Sequence, residues 1–249
     1  MKKLFFLVVI ITLTSCSKSV SIFNGKDLSG WDTYLKDEGL NNDPKRVFTV
    51  VNADGKPALK ISGETFGGIS TVNEFKNYHL TVQMKWGERK YAPKLNDKRD
   101  SGLLYHAVGK HGADGGYWMK SQEFQVQEGD CGDYWGCAGG AFEVPVVTTD
   151  GKTFTYSPSG IMTPFSENSA NGRHVIKSIA NEKPTGEWNT LEIYCFGDSA
   201  IHLVNSKVVM KLYHSNISKG KIQIQSEGAE VYYRNFRVEN IRRLPDLGQ

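Results

Sequence analysis

A two-residue alternation of apolar and polar side chains is the feature that most limits what this chain can become. Over residues 78–86, Tyr78, Leu80, Val82, Met84 and Trp86 fall on one side, and His79, Thr81, Gln83 and Lys85 on the other. That period belongs to a strand with one buried face, because successive side chains of an extended backbone point in opposite directions. Residues 123–127 repeat it, with Phe124 and Val126 set for a core and Glu123, Gln125 and Gln127 for the opposite face. Similar short runs follow from residue 189 to residue 241 with Gly, Asn and Asp between them, and 204–207 (Val-Asn-Ser-Lys) has the look of a tight hairpin. There is no internal repeat and no long helical pattern. The expectation is an all-β fold, an antiparallel β-sandwich or jelly roll. Residues 36–46 and 89–99 are polar and read as loops. Residues 145–188 are rich in Pro, Ser, Gly and Asn and read as an elaborated loop region over one end or face.

Charge and cysteine usage narrow the class further. The 249 residues carry a formal charge of +3, with 30 basic residues dispersed along the chain, so no electrostatic case for nucleic acid arises. A hydrophobic content of 39% with 11% aromatics supports a packed core. At the N-terminus, Lys2 and Lys3 precede an apolar run from Leu4 to Leu13, too short to span a bilayer. Leu13-Thr14-Ser15-Cys16 then resembles a bacterial lipobox. The expectation is a signal peptide over residues 1–15, a lipid on Cys16, a tether over 16–22 and one domain over 23–244. Attachment to a membrane would be through lipid alone, and the expected place is the cell envelope, on the periplasmic face of the outer membrane. Cys131 and Cys137 flank a Gly/Asp/Tyr/Trp loop and are read as either a small disulfide ring or two free thiols. Cys195 alternates with Leu191 and Ile193 and reads as a core thiol.

The stretch from Asp100 to Trp135 carries the chemistry. It sets carboxylates, a histidine and amides among aromatics and a glycine-rich turn. Carbohydrate offers hydroxyls to bind and apolar ring faces to stack, so the combination suits a sugar-processing cleft. The polar positions Lys221, Gln223, Gln225 and Glu227 of a later strand add to it. Repeated Gln is informative, since an amide donates and accepts at once, as a sugar hydroxyl does.

Five blocks in order carry a family resemblance: residues 23–31 (FNGKDLSGW), 100–106 (DSGLLYH), 123–135 (EFQVQEGD through GDYW), 186–189 (GEWN) and 233–236 (YRNF). They are similar to the bacterial 3-keto-disaccharide hydrolase family, and they span nearly the whole chain after the leader. One departure is Asn205-Ser206, where the family usually has Gly after Asn; it touches only a turn. The resemblance implies a concanavalin-like or laminin-G-like jelly roll. It also implies action on sugars already oxidised at C3 by a separate sugar 3-oxidoreductase. A C3 ketone acidifies the C2 proton and makes the C1 oxygen a β-leaving group. A base, a donor at the ketone and an acid then suffice for net hydrolysis, without the oxocarbenium-like route of ordinary glycosidases. A hydratase of the unsaturated intermediate and a non-catalytic carbohydrate-binding lipoprotein are the alternatives.

Candidate roles follow. Glu123 is the first choice for base or acid. His106 is its partner acid or a structural histidine, and Asp100 sits at the entry to the same strand. Arg234 would stabilise an enolate or pair with a carboxylate, since it cannot act as a base. Tyr105, Trp118 and Trp135 are candidates either for stacking on the sugar or for a core or loop-anchor role, and Gln125, Gln127 and Gln225 are hydroxyl binders. Trp31 and Trp188 read as core. Glu128, Asp130 and Asp133 cluster in one glycine-bearing turn and offer oxygens to a divalent cation, although a turn uses Asp and Gly anyway. No other cofactor is indicated.

Overall fold

The computed structural model describes residues 19–248; the apolar leader and the Cys16 lipidation site expected from the sequence lie outside them. Strands dominate, as the alternation requires. The first sheet runs, in spatial order, Lys207–Leu212, Ser199–Val204, Asn189–Phe196, Tyr78–Lys90, Ala229–Asn240, Lys56–Ile61 and Phe48–Ala53, with Val20–Ser21 paired to Ala229–Asn240. The second runs His174–Val175, Tyr134–Cys137, Lys120–Gln127, Asp100–Val108, Lys221–Ser226, Gly67–Thr71, Trp31–Leu35 and Gly39–Leu40. Neighbouring strands are antiparallel in both. The fold is the antiparallel jelly-roll sandwich expected from the pattern.

The inner faces meet through the residues that the alternation selected. Tyr78, Leu80, Val82, Met84 and Trp86 of the first sheet are buried, as are Leu103, Phe124, Val126 and Ile224 of the second. Each such side chain contributes roughly 1.5–3 kcal/mol on leaving water. Polar pins cross the core as well: Ser101 Oγ lies 2.9 Å from Tyr233 Oη, and Tyr105 Oη 2.9 Å from His202 Nε2. Cys195 is buried in this core, as expected. Residues 204–207 do form a hairpin, with Asn205 at φ 48° and Ser206 at φ 66°. Two positive φ values in succession match the right-handed strand twist.

Two bulges break the alternation. Between Arg234 and Arg237 the register shifts at Asn235 (φ 58°), so Tyr233 and Phe236 both face inward. Between Tyr105 and Val108 it shifts at His106 (φ 52°). An extra residue in one strand re-aims the side chains beyond it. The region 145–188 contains more pairing than its composition suggests. Phe142–Val147 lies between Thr155–Tyr156 and Ile161–Phe165 in a small third sheet, which abuts the first through a bridge from Glu143 to Tyr213.

Candidate active site

The outer face of the second sheet is a lattice of polar residues set by register. Trp135 pairs with Glu123, Glu123 with Leu104, Leu104 with Gln223, and Gln223 with Ser70. In the next row Gln125 pairs with Gly102 and Gln225 with Gly68. In the third, Gln127 pairs with Asp100, and Glu227 follows the neighbouring strand. Directly opposed residues share a face of the sheet, so these side chains converge. Of these, Trp135 and Glu123, Gln125 and Gln225, and Gln127, Asp100 and Glu227 line a cleft of about 220 Å³ with Asp114, Trp118, Cys137 and Arg173.

Alternation alone predicts that such a face is wet, but here it is covered. The segment between Val108 and Lys120 folds over it as a flap. Trp118 Nε1 donates to the Gly67 carbonyl at 3.0 Å, and Asp114 Oδ2 accepts from Ala138 N at 2.9 Å and from Arg173 Nη1 at 2.8 Å. His111 stacks on Tyr34 at 5.4 Å. Glu123 is left 5% exposed, Asp100 4% and Gln225 1%. The floor is glycine for a reason: a Cβ on Gly102 would sit 2.3 Å from Gln225 Oε1 and 2.5 Å from Glu123 Oε1. Any side chain there would occupy the space the two functional groups share.

Burial dominates the electrostatics. The Glu123 carboxyl is pushed up to about 8 by loss of solvent, assisted by the nearby Glu227, Asp100 and Asp114, while the Cys137 thiol, donating to Oε2 at 3.1 Å, opposes the shift. Cys137 itself is driven well above its ordinary range by burial and by Glu123, so it stays a neutral donor. Glu227 is raised to about 7, first by burial and then by Asp100. Asp100 is raised by burial against the pull of Lys94 and Gln127. Lys94 Nζ reaches Asp100 Oδ2 at 2.5 Å and also bonds Glu227, while Gln127 Nε2 donates to the same Asp100 oxygen at 2.7 Å. Asp100 Oδ1 and Gln225 Oε1 are buried without a protein partner. Gln125 turns Oε1 back to accept from its neighbour's amide, Val126 N, at 2.9 Å, which leaves its side-chain N–H groups for a ligand.

Of the ten residues expected to catalyse or bind, seven meet here: Asp100, Trp118, Glu123, Gln125, Gln127, Trp135 and Gln225. Trp135 stacks on His174 at 4.3 Å and lies under Arg173. Three do not meet. The bulge at His106 turns its ring away from the face of Asp100 and Gly102 and into the core, edge-on to Tyr78 and Tyr105, with Nδ1 3.0 Å from the Ile217 carbonyl. Burial lowers it to about 4, so it is a neutral structural ring rather than a proton donor to this cleft. Tyr105 is fully buried on the core side, against His202. Arg234 lies in the other sheet, where Nε donates to Gln83 Oε1 at 3.0 Å and the guanidinium stacks 3.6 Å over Trp188. Trp188 is therefore a half-buried surface ring, not core, whereas Trp31 is core.

The acidic turn does not gather around one point. Glu128 pairs with Arg99 and Thr185, Asp130 with Lys98, and Asp133 with His174 and Lys177. Among the described residues, no three His, Cys, Asp or Glu side chains are placed to hold a metal ion. Cys131 and Cys137 are both free and buried: strand pairing sends Cys137 to Glu123, while Cys131 joins the core cluster.

Sequence reasoning missed Lys94, Asp114, Cys137 and Arg173 as site residues. Glu227, expected on the polar face from its alternation with Gln223 and Gln225, does line the cleft. Lys94 and Arg173 sit in segments without periodicity, so nothing local marked them.

The family described as the 3-keto-alpha-glucoside-1,2-lyase-like domain matches residues 18–239. Among solved structures, a candidate glycosyl hydrolase from Parabacteroides distasonis ATCC 8503 superposes with a TM-score of 0.54 at 18% identity, covering 90% of this chain and 94% of that one. A second from the same organism gives 0.53 at 18% identity, covering 90% and 100%. At such identity the likeness establishes the fold. No curated protein matches the chain.

Proposed function

Because this chain belongs to the 3-keto-alpha-glucoside-1,2-lyase-like domain family, we propose that it cleaves glycosides whose sugar carries a ketone at C3, with Glu123 as the proton donor to the departing C1 oxygen. The observation that carries this reading is the Glu123 carboxyl, buried at the cleft floor beside Gly102 and raised to about 8. A carboxyl in that state is protonated at neutral pH and is poised to give the proton up as negative charge develops nearby.

The remaining groups suit the sugar. Gln125 offers N–H donors to the ketone oxygen, where charge accumulates once the C2 proton leaves. Gln225 Oε1, buried and unpartnered, accepts from a hydroxyl. Trp118 provides a flat wall for the ring, and Trp135, already stacked on His174 and under Arg173, lines the cleft beside it. Loss of the C1 oxygen yields an unsaturated keto-sugar, and addition of water at C1 completes a net hydrolysis. The ketone has to be installed first, so a separate sugar 3-oxidoreductase is the expected supplier. A lipid on Cys16 would hold the enzyme at the envelope, facing the periplasm.

The test is to incubate the full chain with a 3-keto-disaccharide and with its unoxidised parent. The expected outcome is release of the leaving sugar from the keto form alone. A folded protein that releases nothing from any keto-glycoside would overturn the reading.

A further inference from the structure

Glu123 supplies one proton movement, and elimination across C1 and C2 needs a second group to accept the C2 proton. On the same floor, past Gly102, lies a second carboxyl system. Asp100 and Gly102 are two residues apart on one face of a strand, roughly 7 Å, and Glu123 Oε1 reaches towards the Gly102 end of that span. At the other end Lys94 holds Asp100 Oδ2 and Glu227 together. The arrangement is built rather than incidental. The loop carrying Lys94 is tied to the turn after Glu227 by Tyr91 N donating to the Gly228 carbonyl at 2.8 Å, and the lysine stem lies against Gly228, whose φ of +83° and missing Cβ permit the approach. Gln127 clamps the Asp100 oxygen that Lys94 also holds, so the free oxygen, Oδ1, is buried with no partner.

We propose that the Lys94-bridged pair of Glu227 and Asp100 is the base that removes the C2 proton, with Glu227 the accepting carboxylate and Lys94 and Gln127 the groups that position the pair. This rests on the keto-glycoside reading above. In the forward half, the C2–H bond breaks and its proton passes to Glu227, and the electron pair becomes the enolate of the C3 ketone. The C1–O bond then breaks, its electrons leave with the oxygen, and Glu123 protonates that oxygen. In the return half, Glu123, now ionised, takes a proton from water as hydroxide adds to C1, and Glu227 returns its proton to C2. Atoms and charge balance, and both carboxyls end as they began.

The geometry divides the labour for a physical reason. Glu227 faces Lys94, Asp100, Glu123 and Asp114, the last of which is itself paired with Arg173. One ammonium among several buried carboxyls cannot keep all of them ionised, so protons are retained in the site. Lys94 favours the ionised form at its own end, and Glu123, without a cation, keeps its proton.

The test separates proton removal from bond cleavage. A 3-keto-glycoside is incubated in D₂O, and loss of the C2 proton signal is followed by NMR alongside release of the leaving group. The wild-type chain should show both. Glu123→Gln should still exchange C2 while release falls at least 100-fold, and Glu227→Gln should lose exchange and release together by a similar factor. Lys94→Met should exchange more slowly at neutral pH, with the rising pH limb moved upward from about 7 and exchange recovered at higher pH, a recovery that a merely structural loss would not show. Melting curves report folding, and Asp100→Asn, which keeps Glu227, serves if Glu227→Gln does not fold; exchange should fall in it as the shared site is disturbed. Undiminished C2 exchange in folded Glu227→Gln would overturn the base assignment while leaving the keto-glycoside reading standing. A wild-type chain that neither exchanges nor cleaves any keto-glycoside would overturn both.

Discussion

The two outer faces of the sandwich start from the same alternation and end with opposite electrostatics. On the first sheet, Asp54 is held low by Lys85 and the Trp188 indole. Glu230, although burial pushes it up, is held below its ordinary value by Lys60 and Tyr232. His79 stacks on Tyr194 at 3.8 Å and bonds Glu192 at 2.9 Å, and Arg234 covers Trp188. Each of these carboxylates has a partner of its own: Lys85 for Asp54, Lys60 for Glu230 and His79 for Glu192. On the second sheet the flap buries a cleft that holds more carboxyls than cations, so Glu123 and Glu227 rise instead of falling. Polar strand faces are therefore not equivalent. A satisfied face holds the surface together, and a covered, under-partnered one stores protons where chemistry can use them.

Four experiments test that contrast. The largest effect is expected from Glu123→Gln, which keeps shape but removes the proton; turnover of a keto-glycoside should drop roughly 10²–10⁴-fold with binding of the substrate retained by calorimetry. Equal turnover would remove Glu123 from the mechanism. Next is Gly102→Val. Its added carbons would fall within 2.3–2.5 Å of Gln225 and Glu123 oxygens, so substrate affinity should fall by at least tenfold while the melting temperature moves by only a few degrees.

The third is the pH dependence of stability, and the two carboxyl and histidine effects have opposite signs. Glu123 is raised in the folded state, so its contribution is full below the ordinary carboxyl value and is lost as pH climbs through about 8. Glu123→Gln should thus be the more stable protein at pH 9, by a few kcal/mol, with the advantage shrinking towards pH 5 in urea melts. His106, lowered to about 4, and His202, lowered to about 3, both by burial, work the other way. Their contribution is full above about 6.5 and lost as pH falls through those values, about 3 kcal/mol for His106 and about 5 kcal/mol for His202. The smallest effect is expected on the satisfied face. Arg234→Ala should leave turnover within twofold and cost about 1 kcal/mol from the lost stacking on Trp188. A large activity loss there would mean that the second face also serves the reaction.

Strand parity made much of this legible in the sequence. Phe124 and Val126 point inward because a side-chain period of two has no alternative in an extended backbone, and Glu123, Gln125 and Gln127 follow to the other side. The same rule points His106 at the cleft face, but one extra residue at the bulge reverses the direction, and that residue carries no composition signal; the structural role left open for it is the one it takes. Tyr105 likewise takes the core role open to it, since an aromatic ring beside a candidate cleft packs equally well into the core. Arg234 belongs to a block that resembles the family, yet its strand lies in the opposite sheet.

Away from the bulges, which side chains share a face is already written in the chain, because parity is a local property of the backbone, and residue type marks one such face as able to bind hydroxyls. The cover over this face, the meeting of Lys94 and Glu227 with Asp100 from distant segments, and the aim of Cys137 at Glu123 arise only in the folded molecule. Proton affinity is set by what surrounds a carboxyl in space, and solvent exclusion comes from chain segments brought together by the fold.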